Sequence, residues 1–139
     1  RAVRFFHVGS FLGARWPGGQ VVAAGMAVAV AESLVPALVG MAQQQMKAQN
    51  NPRAAKVMGD IPDYHISPVD AAKMANDAGV GLLVYSHHIP SIQVGSPMYF
   101  AGVAAVRPAD KWVAGWDGLR VDLPAGSKEI RQSELLPKP

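Results

Sequence analysis

The chain contains no cysteine, which excludes disulfide staples, thiolate nucleophiles and cysteine-based zinc sites. Any metal would have to be held by His, Asp and Glu. Charge is also scarce: 17% of the residues are charged, 13 basic and 10 acidic side chains leave a formal net charge of +3, and no run of Lys or Arg concentrates it. A nucleic-acid footprint usually needs a basic stripe of phosphate contacts, so no nucleic-acid partner is expected. The opening RAVRFFHVGS has no long apolar core of the signal-peptide kind, and a cytoplasmic location is the default expectation. The longest mostly apolar stretch, residues 21–39, contains Glu32 and Pro36. A carboxylate at the bilayer centre costs about 2.5–3.5 kcal/mol, so the stretch is read as a buried strand running into a helix and no membrane partner is expected.

What is present fits one domain. A chain of 139 residues, half of them hydrophobic, can bury roughly two thirds of its unfolded surface around a single core. Residues 1–20 are the least legible segment: Phe5, Phe6, Val8, Phe11 and Leu12 could form a strand or hairpin, Trp16-Pro17-Gly18-Gly19 is a turn, and His7 reads as a packed or surface histidine. Residues 21–127 carry the domain, and residues 128–139 read as a polar tail with a helical turn near 128–134.

Within the domain, residues 21–30 are Val, Ala, Gly and Met without alternation, as expected of a strand buried on both faces. Glu32 follows, Ser33 is a candidate helix cap, and Pro36 suits a first helical turn. That helix should reach Gln49 with Leu38, Met41, Ala42 and Met46 as its apolar stripe, and a shorter helix should run from Pro52 to Gly59. Ser67-Pro68-Val69-Asp70 is a capping-box-like start and Gly79 a left-handed stop, with Ala71, Ala72, Met74, Ala75 and Ala78 between them as a close-packing face. Residues 80–86 form a second buried strand that ends in His87-His88. Two strands joined by helices should be parallel neighbours, and sites in such sheets lie beyond the carboxyl ends of the strands. Downstream, Met98-Tyr99-Phe100 is an apolar patch, and residues 112–116 and 119–123 flank Asp117-Gly118, a hairpin signal.

Three of the four histidines, His65, His87 and His88, fall in residues 63–90. Neutral imidazole is the usual ligand for a divalent metal where thiolates are absent. Adjacent residues of a strand point to opposite sides, so at most one of His87 and His88 faces a given site. His65 can reach the same edge, and Glu32 can serve it as a proton partner; Glu32 is otherwise read as a helix-start carboxylate favoured by the macrodipole.

AESLVPALV, DIPDYHISPVDAAKMANDAGVGLLVYSHHIP and WDGLRVDLPAGS resemble the C-terminal half of metallo-β-lactamase-fold hydrolases, in the branch similar to ribonuclease Z and the arylsulfatase-like enzymes. The resemblance covers roughly residues 27–127. It implies an α/β fold, half of an αββα sandwich, with a mixed sheet, two or three helices on one face and a C-terminal hairpin. It also implies zinc or another divalent metal, with His87 as a metal ligand, His65 as the catalytic group that stabilises the reacting centre, and Glu32 as its partner. The family's His-x-His-x-Asp-His motif is absent, residues 1–20 contain no aspartate for a Gly-Asp-Thr motif, and Ala31 stands where relatives often have histidine.

The expectation is therefore a truncated or derived metal-dependent hydrolase, acting on an ester, phosphodiester or related bond of a small-molecule substrate, with an incomplete site. It would draw its other ligands from a complementary N-terminal half or a second copy. The alternative is a non-catalytic homo-oligomerising remnant that covers its open sheet face through residues 21–30, 98–100 and 112–116. A metal-free serine esterase is a third reading: Ser10 and Ser96 follow glycine, though neither completes Gly-x-Ser-x-Gly.

Overall fold

The computed structural model describes residues 7–8, 27–91 and 97–138. Its main sheet has four strands in the order β1-β2-β3-β4, formed by His7–Val8, Val28–Leu34, Leu82–Ile89 and Trp112–Ala114, all parallel. The link from β2 to β3 carries α1 (Pro36–Ala48), α2 (Pro52–Asp60) and α3 (Pro68–Asp77), and a short α4 (Val103–Val106) precedes β4. An antiparallel pair, β5 (Leu119–Asp122) and β6 (Arg131–Glu134), forms a second sheet.

The strands alternate between two cores. Ala29, Ala31, Leu83 and Tyr85 face the alanines of α3 together with Phe100 and Val103. Val28, Leu82 and Val84 face the opposite way, onto Leu119, Val121, Leu123 and Ile130 of the second sheet and its loop. The layering is thus helix, parallel sheet, small sheet, as expected of half an α/β sandwich. Parallel and antiparallel pairings are both present, divided between two sheets.

The local signals of α3 hold: the Ser67 hydroxyl accepts from the Asp70 N–H at 3.1 Å, Pro68 opens the helix, and Gly79 takes a φ of +64° just past it. The small side chains of Ala71, Ala72, Ala75 and Ala78 are buried, which brings the helix onto the sheet.

Other expectations are corrected. β2 continues through Glu32 and Ser33 to Leu34, because its ladder with β3 extends that far; residues 21–26 lie outside the described residues. Ser33 is consequently a buried strand residue, and the N-cap of α1 is Val35, which makes no side-chain cap. Val39 is the buried residue of α1 and Met41 is exposed. The helix leans on α2, where the Gln43 Nε2 donates to the Ala55 carbonyl.

Residues 112–116 and 119–123 do not pair with each other. β4 continues along β3, with the Gly115 N–H donating to the Tyr85 carbonyl at 2.8 Å, and Asp117-Gly118 then carries the chain to the second sheet. Gly118 has φ +109°, and a Cβ there would lie 2.7 Å from the Leu136 nitrogen. The C-terminal hairpin is β5 with β6, and residues 131–134 are strand, not a helical turn. Tyr99 and Phe100 are buried in the chain's own core, and so are Val28, Ala29 and Ala114. The proposed oligomer surfaces are in that measure already used within the chain. No helix among the described residues is long and apolar enough to cross a membrane.

Candidate metal and catalytic site

Glu32, His65 and His87 meet at the carboxyl end of the parallel strands. Glu32 lies near the end of β2 and is only 3% exposed. His65 stands in the bend before α3, and two bonds fix that bend. The Leu34 N–H donates to the Ile66 carbonyl at 2.9 Å, tying it to β2, and the Tyr85 hydroxyl donates to the Pro68 carbonyl at 2.6 Å, tying the start of α3 to β3. Burial pushes the Tyr85 pKa far above its ordinary value, so the hydroxyl keeps the proton it donates.

His87 reaches the site through a β-bulge. Glu32 pairs with Ser86 and Ser33 with His88, which leaves His87 as the extra residue, with φ +44°. Bulges re-aim side chains at the cost of ladder bonds and are uncommon in parallel pairs. Here the bulge separates the two histidines: His87 turns to Glu32, with Nδ1 3.4 Å from Oε2, and His88 turns to Ser33 and Gly115. Of the two, only His87 lies beside Glu32.

His65 Nδ1 lies 2.9 Å from Glu32 Oε2. The oxygen sits off the direction of the ring nitrogen, so Nδ1 has no aligned hydrogen-bond partner among the described residues. The His65 side chain is 9% exposed and the His87 side chain 63% exposed, their rings 5.7 Å apart and edge to face. One donor atom from each of Glu32, His65 and His87 lies within 4.8 Å of the others.

Two imidazoles and a carboxylate form a donor set suited to zinc and similar divalent ions. Tetrahedral bonds of about 2.0–2.1 Å place donor atoms roughly 3.4 Å apart, inside the range seen here. The buried, unpartnered Nδ1 of His65 gives the same indication, since a polar atom in that position loses its water and needs another partner. The residues therefore fit a divalent cation. A second arrangement is also possible with the same atoms: His87 holds the ion, while Glu32 and His65 form a proton-holding pair beside it.

The sequence reading missed the hydroxyl network behind His87. Tyr99 was visible only as part of an apolar patch, and its placement comes from a turn ten residues beyond β3. No local signal marks it. Ser33 and His88 are hydrogen-bonded, with 2.7 Å between Oγ and Nδ1, but Ser33 is fully buried and does not serve as a nucleophile. Ser10 and Ser96 lie outside the described residues.

No family model matches the chain. Over parts of its length it is similar to curated relatives named ribonuclease Z. That of Mycobacterium tuberculosis is 41% identical over 64 residues, 46% of this chain and 23% of the relative. That of Mycolicibacterium paratuberculosis is 40% identical over 68 residues, 49% of this chain and 24% of the relative. That of Mycolicibacterium gilvum is 44% identical over 48 residues, 34% and 17% respectively. The matches thus span about a quarter of the relatives' length or less, and they agree in part with the resemblance carried by the motifs.

Proposed function

We propose that this chain supplies one part of the site of a metal-dependent hydrolase that cleaves phosphodiesters. The observation that carries the reading is the buried Glu32 carboxylate, 2.9 Å from His65 and 3.4 Å from His87. The similarity to ribonuclease Z supports the bond class. His87, the most exposed of the three, is the ligand that zinc or a similar ion would meet first. A divalent ion held there would polarise a phosphoryl oxygen and lower the pKa of a bound water.

Glu32 and His65 supply the proton chemistry. Glu32 lies against the Nδ1 edge of His65, and an imidazolium at His65 would give its Nε2 proton to the departing oxygen and remain as the neutral ring, with Glu32 offsetting the charge before transfer. Burial of Glu32 keeps water from screening that contact. The remaining ligands would come from a complementary N-terminal half or a second copy of the chain.

The test is turnover of a small chromogenic phosphodiester by the purified chain at a concentration where a second copy can complete the site. Chelator should abolish turnover, and Glu32→Gln should lower kcat by about 10²-fold, the lower range for a positioned acid–base group. Turnover indifferent to chelator, or unchanged in Glu32→Gln, would contradict the reading. A homo-oligomer is favoured by the exposed neighbours Leu135 and Leu136 beside β6. Light scattering should then show a dimer that dissociates in Leu135→Ser/Leu136→Ser, and a wild-type monomer at micromolar concentration would count against it.

A further inference from the structure

We propose that Tyr99 is a positioning residue for His87: its buried hydroxyl bridges the strand ends where the bulge at His87 interrupts the ladder, and so holds the left-handed turn that aims the imidazole at Glu32. The proposal deepens the reading of His87 as a metal ligand and depends on it only for what the positioning serves.

The bulge creates two problems. His87 must hold a φ of +44°, a conformation disfavoured for any residue with a Cβ. The backbone beyond it must also rejoin β2 in a shifted register, where Ser33 pairs with His88 and Leu34 with Ile89. One phenol answers both, having one donor and acceptor capacity in a single oxygen. The Tyr99 hydroxyl accepts from the Ile89 N–H at 2.6 Å, two residues past His87, and donates to the Ser33 carbonyl of the opposite strand. Burial pushes the Tyr99 pKa up, so the donated proton is retained.

His88 pins the other side of the turn. The Gly115 carbonyl, 3.3 Å from Nε2, can only accept, so Nε2 carries the proton. Nδ1 is then free to accept from the Ser33 hydroxyl at 2.7 Å. The Tyr99 ring stands edge-on to His88 at 5.4 Å and packs on Phe100 at 4.9 Å, which leaves the hydroxyl little room to swing away. Ser33, His88 and Ile89 are thus fixed around the bulge, and His87 is the one residue turned outward to the site.

Tyr99→Phe keeps the ring and removes the hydroxyl. At a temperature where the variant is fully folded, its zinc Kd should be weaker by about 10-fold or more, as for outer-shell partners of metal ligands generally. The drop in Tm caused by Tyr99→Phe should at least halve in a His87→Gly background, where the left-handed turn carries no strain. Equal drops in both backgrounds overturn the proposal, because a merely structural hydroxyl destabilises both alike. So does an unchanged zinc Kd in Tyr99→Phe when the wild type binds zinc. A wild type that binds no zinc refutes the metal reading instead, and the coupling alone then decides on Tyr99. Should Tyr99→Phe fail to fold, amide exchange of the wild type decides: the Ile89 N–H should exchange as slowly as the core amides of β3, and exchange at the rate of an exposed loop overturns the proposal.

Discussion

The φ of +44° at His87 sets the most local prediction. Replacing His87 by Ala or by Gly removes the same imidazole, so the two variants differ only in backbone preference. Ala normally outranks Gly in a strand by about 0.5–1 kcal/mol. At a left-handed position the order should reverse, with Gly the more stable by about 1 kcal/mol, as read by urea denaturation. An Ala variant as stable as the Gly variant would show that the turn is not held in the native state. At this scale the members of the candidate cluster were legible. Glu32, His65 and His87 are chemistry-bearing residues within motif-like strings, and the structure brings them together. The bulge that separates His87 from His88 was not legible, because register is a property of two strands and neither strand announces it alone. Tyr99 was hidden for the same reason: its hydroxyl acquires meaning only from the partners that the fold supplies.

Among the elements, α3 matters most to the site, since its first turn carries the bend that holds His65. Its cap is built from Ser67 and Asp70, whose carboxylate accepts from the Ser67 hydroxyl at 2.7 Å and from Lys73 at 3.1 Å. Ser67→Ala should cost about 1 kcal/mol of stability, measured by chemical denaturation. The Ser67 hydroxyl, and secondarily Lys73, hold the Asp70 pKa below its ordinary value of 3.8. A carboxyl whose pKa is depressed on folding stabilises the native state above its unfolded pKa, and loses that contribution as pH falls through the folded value. The stability advantage of wild type over Asp70→Asn should therefore be full near neutral pH and shrink below about pH 4. Asp70 is largely exposed, so the advantage is small and weakens in salt. An advantage that persists undiminished at pH 2 would contradict this assignment. The boundaries of α3 could be read because cap, proline and glycine signals are local. The end of β2 and the partner of β4 could not, since both depend on pairing with distant segments.

For the whole molecule, the two-faced sheet is held at its far end by Arg107, a buried cation without a carboxylate partner among the described residues. It donates to the Asn76 Oδ1 and the Val80 carbonyl at 2.6 Å and to the Lys111 carbonyl at 2.9 Å. These bonds join the end of α3, the approach to β3 and the turn before β4. Arg107→Met leaves the buried Val80 carbonyl unpaired and should cost about 1–3 kcal/mol; Arg107→Lys should recover little, since one ammonium cannot span the three acceptors. Full recovery by Lys would show that charge, not the planar fork, matters there. The sequence made the layered α/β class visible through strand and helix periodicity. It concealed the division into two sheets, because the Asp117-Gly118 turn has the chemistry of a hairpin turn and serves instead to change layers. The site stands at the opposite end of β3 from that clamp, and the account rests on a divalent ion held at His87 with Glu32 and His65 beside it. Calorimetric titration of the chelator-treated chain with zinc tests it most directly. The expected result is one zinc per site, with binding lost in His87→Ala and weakened at least 10-fold in His65→Ala, in the range seen when a metal centre loses a supporting group. No zinc binding, or binding that is unchanged in both variants, would contradict it.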